Sequence, residues 1–142
     1  MQKASKVMFI IGIVFAVLGL PFLVSSAIVS FSIYSPGYTD TLKEQIIDGR
    51  IVIDPSMTLD EQVAYIRNVF LIIGIISIVF LLILGASIVI ANIAKRNTLV
   101  KFYVTNIVLG VLTLNTFLVL ASIFALVAFY QEQNSETINV SY

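Results

Sequence analysis

Two groups of residues have side chains capable of chemistry. Asp54, Asp60 and Glu61 lie close together in one polar stretch, and carboxylates gathered this way can hold a cation or exchange protons. Their spacing is not that of a calcium loop, so a solvated face is the expectation. The second group, Asn106, Thr113, Asn115 and Thr116, interrupts an otherwise apolar run. A carboxamide in hydrocarbon can donate and accept at once, either bridging helices or lining a path for a solute. On a helix, Thr105, Asn106, Thr113 and Thr116 share an arc of about 100°, while Asn115 and Ser122 form a second stripe, so one polar face does not accommodate them all.

The chain contains no His and no Cys, which removes the imidazole base, the thiolate nucleophile and the usual soft metal ligands. There is no glycine loop for phosphate and no basic stripe for nucleic acid. No catalytic, cofactor-binding or metal-binding residue is expected, and the chain reads as a non-enzyme.

Of the 142 residues, 59% are hydrophobic and 11% charged, far from the balance of a soluble domain. The apolar residues collect into three runs, 7–33, 67–94 and 102–130, each longer than the ~20 residues that cross a bilayer core. Between Val7 and Ile33, Val69 and Ala94, and Phe102 and Phe129 there is no acid or base. The expected fold is an all-α membrane protein of one domain with three transmembrane helices. A short connection, 95–101, joins the second span to the third, a loop covers 34–66, and a tail covers 131–142. Absence of charge within the spans argues against a proton-coupled carrier or a voltage sensor.

Charge sorts the two sides. Lys3, Lys6, Lys95, Arg96 and Lys101 flank one side, whereas Lys43, Arg50, Arg67 and every acid fall in the loop or tail. By the positive-inside rule the first side is cytoplasmic. Three crossings then place the N-terminus inside and the C-terminus outside the cell membrane. Tyr34, Tyr65, Tyr103 and Tyr130 mark the span boundaries, where an amphipathic ring is favoured. Ser25-Ser26-Ala27 fits a signal-peptidase site, but the apolar run is longer than a signal core and continues past it.

Small residues predict where helices meet. Gly12, Ala16, Gly19, Ser26, Ala27 and Ser30 form one seam along the first span, and Gly74 and Gly85, with Asn92 and Ser77, a sparser one on the second. Close van der Waals approach through such seams drives helix association in lipid. The first seam is expected to pack on the chain's own other helices, the second span's seam among them, with a partner protein as the alternative. Pro21, on the opposite face, predicts a kink.

In the outer loop, Pro36-Gly37 signals a turn, Thr39 or Asp40 caps a short helix carrying Leu42 and Ile46, and Gly49 suits its end. Ile51-Val52-Ile53 reads as extended, and Thr58-Leu59-Asp60-Glu61 has capping-box spacing, starting the second helix near Leu59, outside the lipid. Thr137 to Ser141 alternates like a strand and is expected to pair with Ile51-Val52-Ile53 as a ribbon if the tail is not simply frayed. Asn139-Val140-Ser141 matches a glycosylation acceptor.

The Lys-containing start before a Gly-rich first span and the Ile-rich, Cys-free composition resemble the small uncharacterised polytopic membrane proteins of low-GC Gram-positive bacteria. The likeness is one of architecture and covers the whole chain loosely. The expected role is an accessory, regulatory or protective, immunity-like subunit binding another membrane protein; the alternative is a homo-oligomeric channel or small-solute carrier. Besides the lipid bilayer, the expected partner is another membrane protein or a second copy, with no cofactor and no nucleic acid.

Overall fold

The computed structural model describes residues 2–96 and 99–139 and contains five helices: α1 (Gln2–Ser32), α2 (Pro36–Ile47), α3 (Leu59–Arg96), α4 (Val100–Leu112) and α5 (Thr116–Asn139). Among the described residues there is no strand. The fold is all-α, and three helices are long and apolar enough to cross a membrane, over Lys3–Ser32, Leu59–Arg96 and Thr116–Asn134. Val100–Leu112 is apolar but shorter. The third apolar run, expected as one helix over 102–130, is therefore two helices separated at 113–115.

The chain divides into two compact units, Phe22–Val79 and a second made of Met1–Pro21 with Phe80–Tyr142. In the first, Ile33, Leu42 and Val63 are buried together, with Ile46, Ile51, Ile66 and Phe70 packed around them. Helix α2 begins earlier than the Thr39 or Asp40 cap implied, because Pro36 occupies its first turn. There the missing N–H is not needed and the fixed φ is already helical. The helix ends as anticipated at Gly49, with φ +69°. Gly49 N donates to Ile46 O and Arg50 N to Gln45 O, at 3.1 and 2.9 Å, the reciprocal pattern of a Schellman cap.

Helix α3 starts on the Thr58 capping box. Thr58 N donates to Glu61 Oε2 at 2.7 Å, and Glu61 N to Thr58 Oγ1 at 3.4 Å. Its first turn carries Asp60 and Glu61 and its last turn Lys95 and Arg96, each sign favoured by the helix dipole at that end. Within this unit α1 and α3 are joined by a 2.9 Å bond between the Ser26 and Ser77 hydroxyls. The Tyr34 hydroxyl donates to Arg67 O, and the Arg67 guanidinium lies over the Tyr34 ring.

In the other unit Phe9, Ala91, Ala94, Tyr103, Leu118, Ala121 and Ala125 form one buried cluster. Tyr103 stacks on Phe9, with ring centroids 6.4 Å apart. Helix α1 continues through Pro21 without a break. The ribbon expected between Ile51-Val52-Ile53 and the tail does not form: Thr137–Asn139 lie in α5 and 51–53 have no regular structure. The Ile51 side chain joins the apolar cluster of its own unit and its N–H donates to Gln45 O, while Val52 stands exposed. Val140 and Ser141, and with them the glycosylation signal, lie outside the described residues.

Gly12 sits where α1 meets α5: a Cβ there would lie 2.5 Å from Leu118 Cδ2 and 3.1 Å from the Leu118 backbone nitrogen. At Gly85 a Cβ would meet nothing within 4 Å. Gly12→Ala should lower stability by about 1–3 kcal/mol through overpacking, whereas Gly85→Ala should be neutral or raise it by up to about 1 kcal/mol. Thermal unfolding of both variants in detergent checks the contrast.

Candidate functional site: a capped helical hairpin and the cavity at its base

The acids of the 34–66 loop do not converge. Asp54 accepts from the backbone and hydroxyl of Ser56, at 2.9 and 2.7 Å, and these two bonds hold its pKa below the usual carboxylate value. Asp60 pairs with Lys43 at 3.0 Å, and Glu61 is engaged by Thr58. Three acids that drew attention by proximity in sequence thus serve a turn, an ion pair and a helix cap. Among the described residues no three acids group as a metal site.

The polar residues of the third apolar run lie along the hairpin of α4 and α5, with Thr113 and Asn115 at the break between the two helices. Helix α4 ends with Leu114 N donating to Val111 O at 3.1 Å and Asn115 N to Gly110 O at 2.7 Å. This is again a Schellman cap, but its left-handed residue is Leu114, at φ 53°, where a side chain costs roughly 1–2 kcal/mol. Asn115 then opens α5. Its backbone carbonyl accepts from Leu118 N and Val119 N, its Oδ1 accepts from Leu118 N at 3.3 Å, and its Nδ2 donates to Gly12 O at 2.8 Å. One side chain both caps α5 and fastens the turn to α1.

Further along the hairpin, Asn106 Nδ2 donates to Ser122 Oγ at 2.9 Å and to Leu118 O at 3.3 Å, and Ser122 Oγ donates to Leu118 O. Asn106 is fully buried and its Oδ1 accepts no bond, a cost of about 1–3 kcal/mol set against the two bonds it makes. Thr113 bonds back to Leu109 O, and Thr116 stands exposed in the first turn of α5. Ser5 donates to Ala121 O at 2.9 Å.

These pairings give direction. Ser5 meets Ala121 and Gly12 meets Asn115, so α5 runs antiparallel to α1. Asn106 meets Ser122, and Gly110 lies against Val119, so α4 and α5 are antiparallel to each other. The hairpin tip lies beside Gly12, and its open end lies beside the start of α1. There Ser5, Lys6 and Phe9 of α1, Ala94, Lys95 and Arg96 of α3, Tyr103 of α4, and Ala125, Ala128, Phe129 and Glu132 of α5 enclose a cavity of about 110 Å³.

Of the expected packing seam, Gly12 meets Leu118, Gly19 meets Leu84 at 3.4 Å, and Gly74 meets Phe31 and Ser30. Ala16 and Ser30 are buried, Ser26 bonds Ser77, and Gly85 meets nothing. The sequence reading missed a further small-residue face, Ala121, Ala125 and Ala128 on α5, which is buried; its spacing of four and three was legible. The two polar stripes of the third run were also a readable sign that no single helix could use both. Comparison with known protein families, with curated proteins and with solved structures finds no match for this chain.

Leu114 is 86% exposed, so Leu114→Gly loses little packing and should raise stability by about 1 kcal/mol through relief of the left-handed strain. Asn115→Ala should lower it by roughly 1–2 kcal/mol, combining a lost cap with a lost interhelical bond. Opposite shifts in the unfolding midpoint of the two variants are the expected result.

Proposed function

We propose that this chain is a non-enzymatic cell-membrane protein that acts by binding another membrane protein, as an accessory, regulatory or protective subunit. The observation that carries this reading is how the polar groups of the hairpin are used. Asn106, Asn115 and Ser122 are buried and bond to the chain's own backbone or to one another, which favours helix packing over the lining of a water-filled path of the kind a channel or carrier needs. With no His or Cys in the sequence, what remains for function is the outer surface. Large apolar side chains such as Phe22 and Leu82 stand exposed on helices of membrane-crossing length.

The same geometry supports a topology different from the expected outward C-terminus. The basic residues constrain only the start of α1 and the connection after α3, and the positive-inside rule favours the cytoplasm for both. The outward tail depended on the third run crossing once. A hairpin whose tip lies beside Gly12 and whose open end lies beside Ser5 and Lys6 returns to the side it came from. We infer two full crossings, α1 and α3, and a re-entrant pair, α4 and α5, with both termini cytoplasmic. At ~1.5 Å per residue α4 is about 20 Å long, enough to enter a 30 Å core and not to leave it.

A reporter active only in the cytoplasm should give signal when fused after Tyr142 and also when inserted near Asn97. Silence after Tyr142 alone would return the tail to the outside. For the binding role, the tagged chain taken from native membranes in mild detergent should bring down a membrane protein in fixed stoichiometry. Recovery only as a self-oligomer that passes ions in liposomes would contradict it.

A further inference from the structure

We propose that the cavity at the base of the hairpin is a site for the phosphate of an anionic lipid headgroup. Its rim brings together Lys6 from the start of α1 and Lys95 and Arg96 from the end of α3. The sequence separates these cations by almost the whole length of the two long helices, so their meeting is a product of the fold. One carboxylate, Glu132, shares the wall, leaving the cavity with a net positive charge. Lys6 and Arg96 are exposed and Lys95 half-buried, so their charged ends are open to a ligand arriving from the membrane surface.

The rest of the lining fits the lower part of a lipid. Phe9, Ala94, Ala125, Ala128 and Phe129 are apolar, and the Ser5 hydroxyl is already committed to Ala121 O. A volume of about 110 Å³ leaves room for one phosphate group with its esterified carbons. A charged rim over an apolar floor, at the membrane boundary of a helix bundle, is the arrangement that binds anionic headgroups. Arg96 can present two parallel donors to phosphate oxygens, while the lysines act as point charges. This inference rests on insertion in a membrane and not on the binding of a partner protein.

The test uses the full chain in neutral detergent and follows its unfolding midpoint on titration with dioctanoyl phosphatidylglycerol, dioctanoyl phosphatidylcholine or inorganic phosphate. Phosphatidylglycerol should raise the midpoint saturably, and the other two should not at the same concentrations. Arg96→Gln and Lys6→Gln, both at exposed positions that folding tolerates, should each weaken the apparent affinity by about tenfold, the worth of one charge-assisted hydrogen bond. Lys3→Gln and Lys101→Gln remove the same charge outside the cavity and should leave the affinity unchanged. Equal loss in all four variants would reduce the site to general surface charge, and saturation by inorganic phosphate at the same concentration would overturn the lipid assignment. A midpoint unmoved by any of the three ligands would overturn the site itself, while leaving a partner-binding role untouched.

Discussion

Within hydrocarbon a backbone N–H or C=O without a partner costs several kcal/mol, so non-helical residues survive there only where protein satisfies them. The N–H groups of the three residues between α4 and α5 meet that condition. Thr113, Leu114 and Asn115 each donate backward into the last turn of α4, and the Asn115 carbonyl and side chain accept from Leu118 N and Val119 N in the first turn of α5. Asn115 Nδ2 then reaches the Gly12 carbonyl. The reversal of the third apolar run, the burial of α4 and α5 on α1, and the cavity at their base all follow from this capped turn.

Close approach does the rest. Gly12 admits the Leu118 backbone, Gly110 admits Val119, and Ala91, Ala94, Ala121 and Ala125 surround Phe9 and Leu118. Lipid chains offer as much apolar contact as another helix does, so small side chains that bring backbones together, with a few interhelical hydrogen bonds, must supply the preference. Ser5, Asn106, Asn115 and Ser122 provide those bonds. In the unit Phe22–Val79 the same logic appears on a smaller scale, with Gly74 against Phe31 and Ser26 bonded to Ser77.

The features legible in sequence were those set by local rules: the long apolar helices α1 and α3 by length and lack of charge, the start of α3 by Thr58 and Glu61, the end of α2 by Gly49. The hairpin was not legible as a turn, because Thr113-Leu114-Asn115 contains neither Gly nor Pro and a Leu holds the left-handed position that Gly49 holds after α2. Hydropathy passes over such a turn without a dip. The residual sign was chemical, two polar stripes too far apart for one helix face, and its resolution required α1, over a hundred residues away, to supply the Gly12 carbonyl. The cavity was illegible for a similar reason, since Lys6, Lys95, Arg96 and Glu132 meet only after the third run folds back.

The distance between α4 and α5 tests the hairpin most directly. The chain has no cysteine, so spin labels can be placed at Val104 and Val127, both exposed, and their separation measured by double electron–electron resonance in lipid nanodiscs. One continuous helix would hold the two backbone sites about 35 Å apart at ~1.5 Å per residue. The hairpin requires less than about 20 Å, one interhelical spacing of 8–10 Å plus the label arms. A narrow distribution at the short distance is the predicted result; one centred near the long distance would contradict the capped turn and everything built on it.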